Sequence, residues 1–219
     1  MEELITAITP SATKRAFKKG TVLLYQGEAP RMAYILKSGI VKSYTINTNG
    51  EEQIVNFFSI NDIFPAPWIF NKASTTMYYY ETASNCEILT IPRDMLREAM
   101  AKPEWVLGVQ DYLATNYTSM LMRVTALEQS RARDKIMLTL YFLLFRYGKQ
   151  TKPGVFTIEL ALTHNIIASL VGLTRETTTT ELSKLKKQKI VQYSHHTYVV
   201  DKQRLERLLG EDSFGSVSL

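Results

Sequence analysis

Between Phe17 and Ile91 the chain alternates short runs of β-branched, aromatic and aliphatic residues with clusters of turn residues. Runs of this length and composition are typical of β-strands. The predicted strands lie within residues 17–28, 34–36, 40–44, 53–58, 77–81 and 86–91, with turns at residues 37–39, 47–50 and 61–62. Many short strands joined by tight turns favour a jelly roll, also called a double-stranded β-helix. Residues 1 to about 16, interrupted by Pro10, are predicted to form a short helix.

After Pro92 the apolar residues recur with a helical period. Helices are predicted over about residues 94–101 and 104–128, and from a break at residues 130–133 to Tyr147. Gly148 is expected to end the last of these in a left-handed conformation. Residues 149–154 are then expected to form a polar link, and residues 155–158 a strand.

One face of the long predicted helix carries a seam whose members alternate at gaps of four and three residues. Helices with a period near 3.5 pack along such a seam against a second helix. The members of this dimer seam are Val106, Gln110, Leu113, Tyr117, Met120, Val124 and Leu127. A second apolar stripe, Leu107, Ala114 and Leu121, is available to pack on the β domain, so we predict that the seam pairs with a second copy. The alternative is that the seam itself packs on the β domain.

The stretch from Thr163 to Lys189 has the pattern of a helix-turn-helix motif. A first amphipathic run ends at Gly172, which can adopt the positive φ of a tight corner. The second run starts after Thr174, a favourable N-cap residue. Ala168 is small enough to let the second helix approach closely.

The second predicted helix, about Arg175 to Gln188, separates into two faces. Thr178, Leu182 and Leu185 point inward, while polar residues of its first half point outward. Arginine can pair with guanine, glutamate can accept from cytosine N4, and threonine can offer a hydroxyl or contact a thymine methyl. The base-reading candidates are Arg175, Glu176, Thr179 and Thr180. The candidates for contact with the DNA backbone are Thr174, Ser183, Lys184, Lys187, His195 and His196. The alternative is the solvated face of an ordinary helical hairpin.

Two β-prone runs follow, residues 190–193 and 197–200, on either side of Ser194-His195-His196. They predict a hairpin with both histidines at its tip, which makes the motif a winged helix. The predicted fold class is therefore α+β, in three parts. These are a jelly-roll domain over residues 1–103, a dimerisation helix over residues 104–129, and a winged helix-turn-helix domain over residues 130–219.

The composition indicates how large a core the chain can bury, what it can bind and where it is located. A chain of 219 residues that is 45% hydrophobic can bury one or two cores, and its net charge of +5 permits attraction to a polyanion. The single cysteine, Cys86, cannot supply an iron–sulfur cluster and is interpreted as a buried strand residue. No apolar run approaches the ~20 residues that span a bilayer, and the N-terminus lacks a secretory signal. A cytoplasmic location and no membrane partner are expected.

The distribution of histidines argues against an enzyme. No histidine precedes His164, so the β half lacks both the base of a hydrolase triad and the imidazole ligands of a metal site. We therefore expect no catalytic residues, no metal and no cofactor. A ligand-binding module that acts on another protein is the other alternative, but it would leave the winged helix without a task.

The order of parts resembles the cyclic-AMP receptor protein/FNR (Crp/Fnr) superfamily of bacterial transcription regulators, over nearly the whole chain. In the roll the resemblance rests on residues 17–20 (FKKG), 26–28 (QGE), 34–36 with Gly39, and 50–51. In the DNA domain it rests on residues 168–177 (ASLVGLTRET). It implies a homodimer that binds double-stranded DNA, with one recognition helix in the major groove of each half of a near-palindromic site. RNA polymerase is the further partner that it implies.

Two departures from the family pattern bear on the DNA site. Thr180 stands where many members have a second arginine, so the half-site is expected to differ at that base pair, with discrimination of roughly 1–3 kcal/mol. Thr178 and Glu181 replace residues that are usually apolar, so the packing of this helix must be adjusted.

The predicted jelly-roll domain, where family members bind their effectors, departs further from the family pattern. Nucleotide-binding members hold the cyclic phosphate with a Gly-Glu pair and an Arg-Ser pair, because an anion needs a charge-assisted clamp. The corresponding positions here read Pro65-Ala66 and Thr76-Met77, and Met120 and Leu121 replace hydroxyl residues of the dimer helix. We predict no binding of cyclic AMP.

The roll also contains many aromatic residues, for which two interpretations remain open. They fill the core of the roll, with alternate residues facing solvent. Otherwise they line an apolar effector pocket beside Pro65–Trp68, closed by the dimer helix. The candidate pocket residues are Phe64, Trp68, Tyr78, Tyr79, Tyr80 and Leu121. The effector is unknown, either an apolar molecule or none.

Overall fold

The computed structural model describes residues 1–210. The sequence predicts a loose tail over residues 210–219, and this segment lies outside the described residues except for Gly210. The chain forms two compact units, Met1–Ala114 and the residues from Thr115 onward. This division falls inside the long helix, so the three-part division at residues 103 and 129 stays a prediction.

The first unit contains eight strands in two antiparallel four-stranded sheets, in the orders β1-β8-β3-β6 and β2-β7-β4-β5. Its elements are α1 (Glu2–Ile8), a 3-10 turn (Thr9–Ser11), β1 (Thr13–Phe17), β2 (Val22–Leu24), β3 (Ala33–Ser38), β4 (Val41–Ile46), β5 (Glu52–Phe58), β6 (Ile63–Phe64), α2 (Ala66–Ile69), β7 (Tyr79–Thr82), β8 (Cys86–Ile91), α3 (Arg93–Met100) and the start of α4 (Pro103–Glu128). The two facing sheets confirm the predicted jelly roll.

The strands β3 and β8 of the first sheet have buried residues on both faces, and alternate residues of a strand point to opposite faces. Leu36 and Ile88 face the second sheet, in a core that Phe64, Tyr80 and Cys86 share. The other face, with Ile35, Leu89 and Ile91, forms a second core with α1, α3 and the start of α4. Both tryptophans, Trp68 and Trp105, belong to this second core.

The start of the chain differs from its prediction. The first helix ends at Ile8, and residues 13–17 form a strand rather than the end of a helix. This strand is almost wholly exposed, so no alternation of apolar residues marks it. Backbone pairing with β8, from Thr13 opposite Thr90 to Phe17 opposite Cys86, holds it in place. The short helix α2 and the helix at residues 202–209 were likewise not predicted.

A tight turn at Gly39 joins β3 to β4. Gly39 has φ +86°, which an L-residue adopts only with strain. A Cβ built on it would collide with the carbonyl oxygen of Asn85 and would lie 2.7 Å from Cys86 Sγ and 2.9 Å from Ser84 Oγ. Glycine is therefore required here both by conformation and by space.

The second unit is built around α5 (Ala132–Tyr147), ten of whose 16 residues are buried. Its other elements are the end of α4, β9 (Gly148–Lys152), β10 (Val155–Ile158), α6 (His164–Val171), α7 (Arg175–Lys187), β11 (Val191–Ser194), β12 (Thr197–Asp201) and α8 (Lys202–Leu209). The strands form one antiparallel sheet in the order β11-β12-β10-β9. This arrangement is the predicted winged helix-turn-helix domain.

The prediction for Gly148 is wrong. Gly148 has φ −82° and ψ 128°, so it is extended and begins a strand instead of capping a helix in a left-handed conformation. Residues 149–154 are not a simple link, because β9 pairs with β10 and Gly154, with φ +73°, turns between them. A Cβ at Gly148 would collide with the backbone of Leu144, so close approach explains this glycine.

The long helix α4 presents one face to the chain and leaves the other uncovered. Its inward face includes Met122 and Ala126, each 1% exposed, and Arg123, whose pKa burial lowers to about 10, so that it stays charged at neutral pH. On the seam, Val106 is half-buried and Gln110 exposed. The remaining five seam residues are exposed: Leu113, Tyr117, Met120, Val124 and Leu127.

The second stripe of α4 was assigned incorrectly. Leu107 is 78% exposed, Leu121 48%, and Ala114 is also exposed, so this stripe does not pack on the chain itself. It adjoins the seam and widens the uncovered apolar face. No helix within residues 1–210 has the length and hydropathy needed to cross a membrane.

Candidate nucleic-acid interface

Two N-caps and one left-handed glycine build the helix-turn-helix corner, and the sequence indicates two of these residues, Gly172 and Thr174. Thr163 caps α6, accepting a hydrogen bond from the N–H of Ile166 at 3.1 Å. Gly172 has φ 64° and ψ 40°, the left-handed conformation predicted for the corner. Thr174 caps α7, with its Oγ1 accepting from the N–H of Thr177 at 3.2 Å. These caps fix where both helices begin.

The faces of α7 are as predicted. Thr178, Leu182 and Leu185 are buried, whereas Arg175, Glu176 and Thr180 are exposed and Thr179 is half-buried. The N-terminal half of α7 therefore offers a guanidinium, a carboxylate and two hydroxyls within two turns. These groups are suited to hydrogen bonds with base edges.

Thr178 is buried at 0% exposure, and its hydroxyl oxygen has no hydrogen-bond partner. A buried hydroxyl without a partner is destabilising because it loses its hydrogen bonds with water. We expect Thr178→Val, which keeps the branched shape, to raise the free energy of unfolding by about 1 kcal/mol. Urea denaturation followed by circular dichroism measures this.

Thr180→Val is the control, since Thr180 is exposed on the same helix. It should change the free energy of unfolding by less than about 0.5 kcal/mol. Destabilisation by Thr178→Val, or an equal gain from both variants, would contradict this explanation.

Positive charge is concentrated in the second unit. Residues 115–219 carry 15 Lys and Arg against nine Asp and Glu, a formal charge of +6, whereas residues 1–114 carry 11 against 12. Lys184, Lys186 and Lys187 lie in the last turn of α7. Lys184 Nζ lies 2.6 Å from Glu181 Oε1, so Lys187 is the freer of the two backbone candidates on this turn.

Ser183 is half-buried, and its hydroxyl donates to the carbonyl of Thr179.

The hairpin β11–β12 carries His195 and His196 at its tip, both exposed and both at positive φ, as the predicted wing requires. Its strand residue Tyr193 stacks on Tyr198, with ring centroids 5.2 Å apart. Lys186 Nζ lies 4.5 Å from the centroid of the Tyr193 ring, a cation–π contact between α7 and the wing.

One contact within this interface was not predicted. His164 begins α6, and its Nδ1 lies 2.9 Å from Thr179 Oγ1 on α7. Burial, and after it the charge of Arg175, lowers the pKa of His164. The sequence shows that His164 starts a helix, but nothing in its spacing indicates which side chain of the next helix it meets.

The structure does not bring the candidate pocket residues together. Phe64, Tyr80 and Tyr78 belong to the core between the sheets, whereas Trp68 belongs to the core under the helices. Tyr79 stacks on Tyr44 instead, at 5.1 Å. Leu121 lies on α4 in the second unit. The five candidates of the first unit are therefore divided between different surroundings and do not line one cavity.

The space between the sheets is filled by stacked rings. Phe64 stacks on Tyr34 at 5.3 Å and on Tyr80 at 5.4 Å, and Phe58 packs against both Phe64 and Tyr80. This supports the interpretation that the aromatic residues form the core of the roll. Within residues 1–210, no group of three or more His, Cys, Asp or Glu is placed to hold a metal ion.

Comparison with known proteins agrees with this architecture. The cyclic nucleotide-binding domain family matches residues 14–103, and the Crp-like helix-turn-helix domain family matches residues 137–208. The chain is 26% identical over 190 residues to the HTH-type transcriptional regulator ArcR of Staphylococcus haemolyticus, covering 85% of this chain and 81% of that protein. It is 29% identical over 182 residues to the regulatory protein HlyX of Actinobacillus pleuropneumoniae, covering 81% of this chain and 73% of HlyX.

Solved structures share the fold. FixK2 from Bradyrhizobium japonicum superposes with a TM-score of 0.73 at 21% identity, over 91% of this chain and 98% of FixK2. A CooA mutant from Carboxydothermus hydrogenoformans gives a TM-score of 0.75 at 19% identity, over 95% and 94%. Members of the Crp/Fnr family are DNA-binding transcription regulators and not enzymes. The two family matches follow one another along the chain in the same order as the two domains. The chain therefore belongs to the Crp/Fnr superfamily of DNA-binding transcription regulators.

Proposed function

We propose that this protein is a homodimeric, sequence-specific regulator that reads a near-palindromic DNA site without cyclic AMP. In this proposal α7 of each subunit enters the major groove of one half-site. Arg175, Glu176, Thr179 and Thr180 contact bases, while Lys187 and the wing histidines contact phosphates. The observation that carries the proposal is the exposure of Arg175, Glu176 and Thr180 on a capped helix whose opposite face is buried.

The uncovered face of α4 supports the homodimer. Five seam residues and the adjoining Leu107 and Leu121 form an apolar strip along one helix. Exposed apolar strips of this length mark association surfaces. Because the strip repeats with the seam period, a second α4 is the partner that fits it.

The first unit supports independence from cyclic AMP. Thr76, at a position where nucleotide-binding members carry the phosphate clamp, is buried and donates its hydroxyl hydrogen bond to the carbonyl of Tyr25. Its backbone pairs with Gly27 and Glu28. Stacked rings also lie between the sheets. The side chains of Pro65-Ala66 and Thr76-Met77 carry no charge with which to hold a phosphate. Saturable calorimetric binding of cyclic AMP at micromolar concentration would contradict this part of the proposal.

The experiment that tests the proposal is selection of bound duplexes from a random pool by the purified protein, without added ligand, at near-physiological salt. Enrichment of a palindromic site would support the function and supply the half-site. That half-site should lack the family's common base at the position read by Thr180, because threonine cannot make a bidentate contact with guanine. A folded, dimeric protein that enriches no sequence would contradict binding without an effector. RNA polymerase is the expected further partner, and co-purification on the selected site would test it.

The roles of arginine and lysine can be separated on the selected site. Arg175→Ala should reduce the preference for the selected site over a random duplex by roughly 10- to 100-fold, because a base contact is lost. Lys187→Ala should weaken binding to both duplexes alike and reduce the salt dependence by about one phosphate contact. Titration of both duplexes at several salt concentrations measures these effects. Equal losses of preference from the two variants would contradict the assigned roles.

A further inference from the structure

His164, on α6, contacts three other elements of the second unit. It begins α6, its Nδ1 lies 2.9 Å from Thr179 Oγ1 on α7, and its ring meets Tyr193 of β11 edge-on, with centroids 4.9 Å apart. The ring of Tyr198 on β12 lies 6.5 Å away, also edge-on. The imidazole is therefore fixed by contacts from the recognition helix and from the wing.

Thr179 is a base-reading candidate whose hydroxyl is already engaged. A free threonine hydroxyl rotates and can act as donor or acceptor, so it distinguishes bases poorly. Here the hydrogen bond with His164 uses either the hydrogen or one lone pair of the Thr179 hydroxyl. What Thr179 offers to DNA then depends on which imidazole nitrogen carries the proton.

The surroundings of His164 favour one state of the imidazole. Burial, followed by the charge of Arg175, lowers its pKa, so the imidazole is neutral at physiological pH. If the proton of the neutral ring is on Nε2, Nδ1 accepts the Thr179 hydrogen. The Thr179 oxygen then has only lone pairs left for DNA. It can accept from an exocyclic amino group of adenine or cytosine, and it meets the carbonyl oxygens of thymine or guanine as a repulsive neighbour.

We infer that His164 is a positioning residue for sequence recognition, which orients Thr179 as a hydrogen-bond acceptor for an amino-bearing base. This inference rests on the proposed function, because it requires Thr179 to face the major groove. In this inference His164, which lies on the preceding helix, influences sequence specificity without itself contacting a base.

The test compares matched variants by selection from a pool randomised across the half-site. Thr179→Val removes the hydroxyl and keeps its shape, while His164→Phe keeps the ring and removes Nδ1. Each should reduce the preference at the same single base pair by about five- to tenfold, and the double variant should lose no more than either alone. His164→Asn, whose side-chain oxygen can replace Nδ1 as acceptor, should retain most of the preference. Binding to random duplex should stay within about twofold in every variant.

A second measurement uses the protein without DNA. Nitrogen chemical shifts of the His164 imidazole at pH 7.5 should identify the form protonated on Nε2, and Thr179→Val should alter the Nδ1 shift. A proton on Nδ1 would overturn the acceptor role. A wild-type half-site whose preference survives His164→Phe would also overturn the inference while leaving the proposed function intact.

Two other results are equally decisive. If His164→Phe weakened binding to all duplexes by the same factor, the role of His164 would be structural only, and the inference would fail. If the wild type enriched no site although its imidazole showed the expected form, the proposed function would fail and this inference with it.

Discussion

Val124→Asp is expected to convert the proposed homodimer into monomers. Val124 lies on the seam of α4 and is 51% exposed in the single chain. In a homodimer the same seam residues meet across the two-fold axis, so one substitution buries two carboxylates near each other. The cost of burying unpaired charges should exceed about 4 kcal/mol, which raises the dimer dissociation constant by roughly 1,000-fold. Sedimentation equilibrium measures the constant, and binding to the full palindromic site should fall with it.

The control for this substitution is Val124→Leu, which keeps an apolar side chain at the same seam position. It should remain dimeric with little change in DNA affinity. Circular dichroism must show that the aspartate variant is folded. A folded Val124→Asp protein that stays dimeric at low micromolar concentration would refute the seam as the interface.

Gly39→Ala should be among the most destabilising single changes in the first unit. The alanine would adopt φ +86° and its Cβ would collide with the backbone carbonyl of Asn85, which cannot move without disturbing the start of β8. Because strain and steric overlap add, we expect a loss of at least ~3 kcal/mol in the free energy of unfolding. Scanning calorimetry should show a lowered transition for this unit.

Gly20→Ala separates the two causes. Gly20 has φ +83°, but a Cβ there would have nothing within 4 Å. This variant should lose only about 1–2 kcal/mol, the cost of the left-handed backbone alone. Equal losses from the two alanines would show that steric overlap at Gly39 is unimportant.

Local signals made most of the fold predictable. Gly172 and Thr174 act within a few residues of their own position, so corner and cap could be inferred from the sequence, and the structure confirms both. The faces of α7 follow from helical spacing alone, which is why Thr178 could be placed inside. The overall order of domains could also be predicted, because each part carries its own period of apolar residues.

The errors concern packing and strand pairing, which the local pattern of residues does not determine. Gly148 has the residue type of a left-handed cap, but the approach of the Leu144 backbone and the pairing with β10 decide its conformation. The stripe with Leu107 and Leu121 is apolar, and apolarity does not reveal whether a helix packs on its own chain or on another. The pocket prediction was wrong for a related reason: Phe64 and Trp68 are four residues apart in sequence, but they belong to different cores. The contact of His164 with Thr179 likewise depends on the crossing of two helices.

The positions of Trp68 and Trp105 have a spectroscopic consequence. They are the only two tryptophans of the chain, and both lie in the core formed by α1, α3 and the start of α4. Residues 115–219 contain tyrosines but no tryptophan. Emission excited near 295 nm therefore originates from the first unit alone, with no engineered label. Denaturation followed at this wavelength reports the melting of the jelly roll and its helices, while far-ultraviolet ellipticity reports both units, so a difference between the two curves would reveal that one unit unfolds before the other.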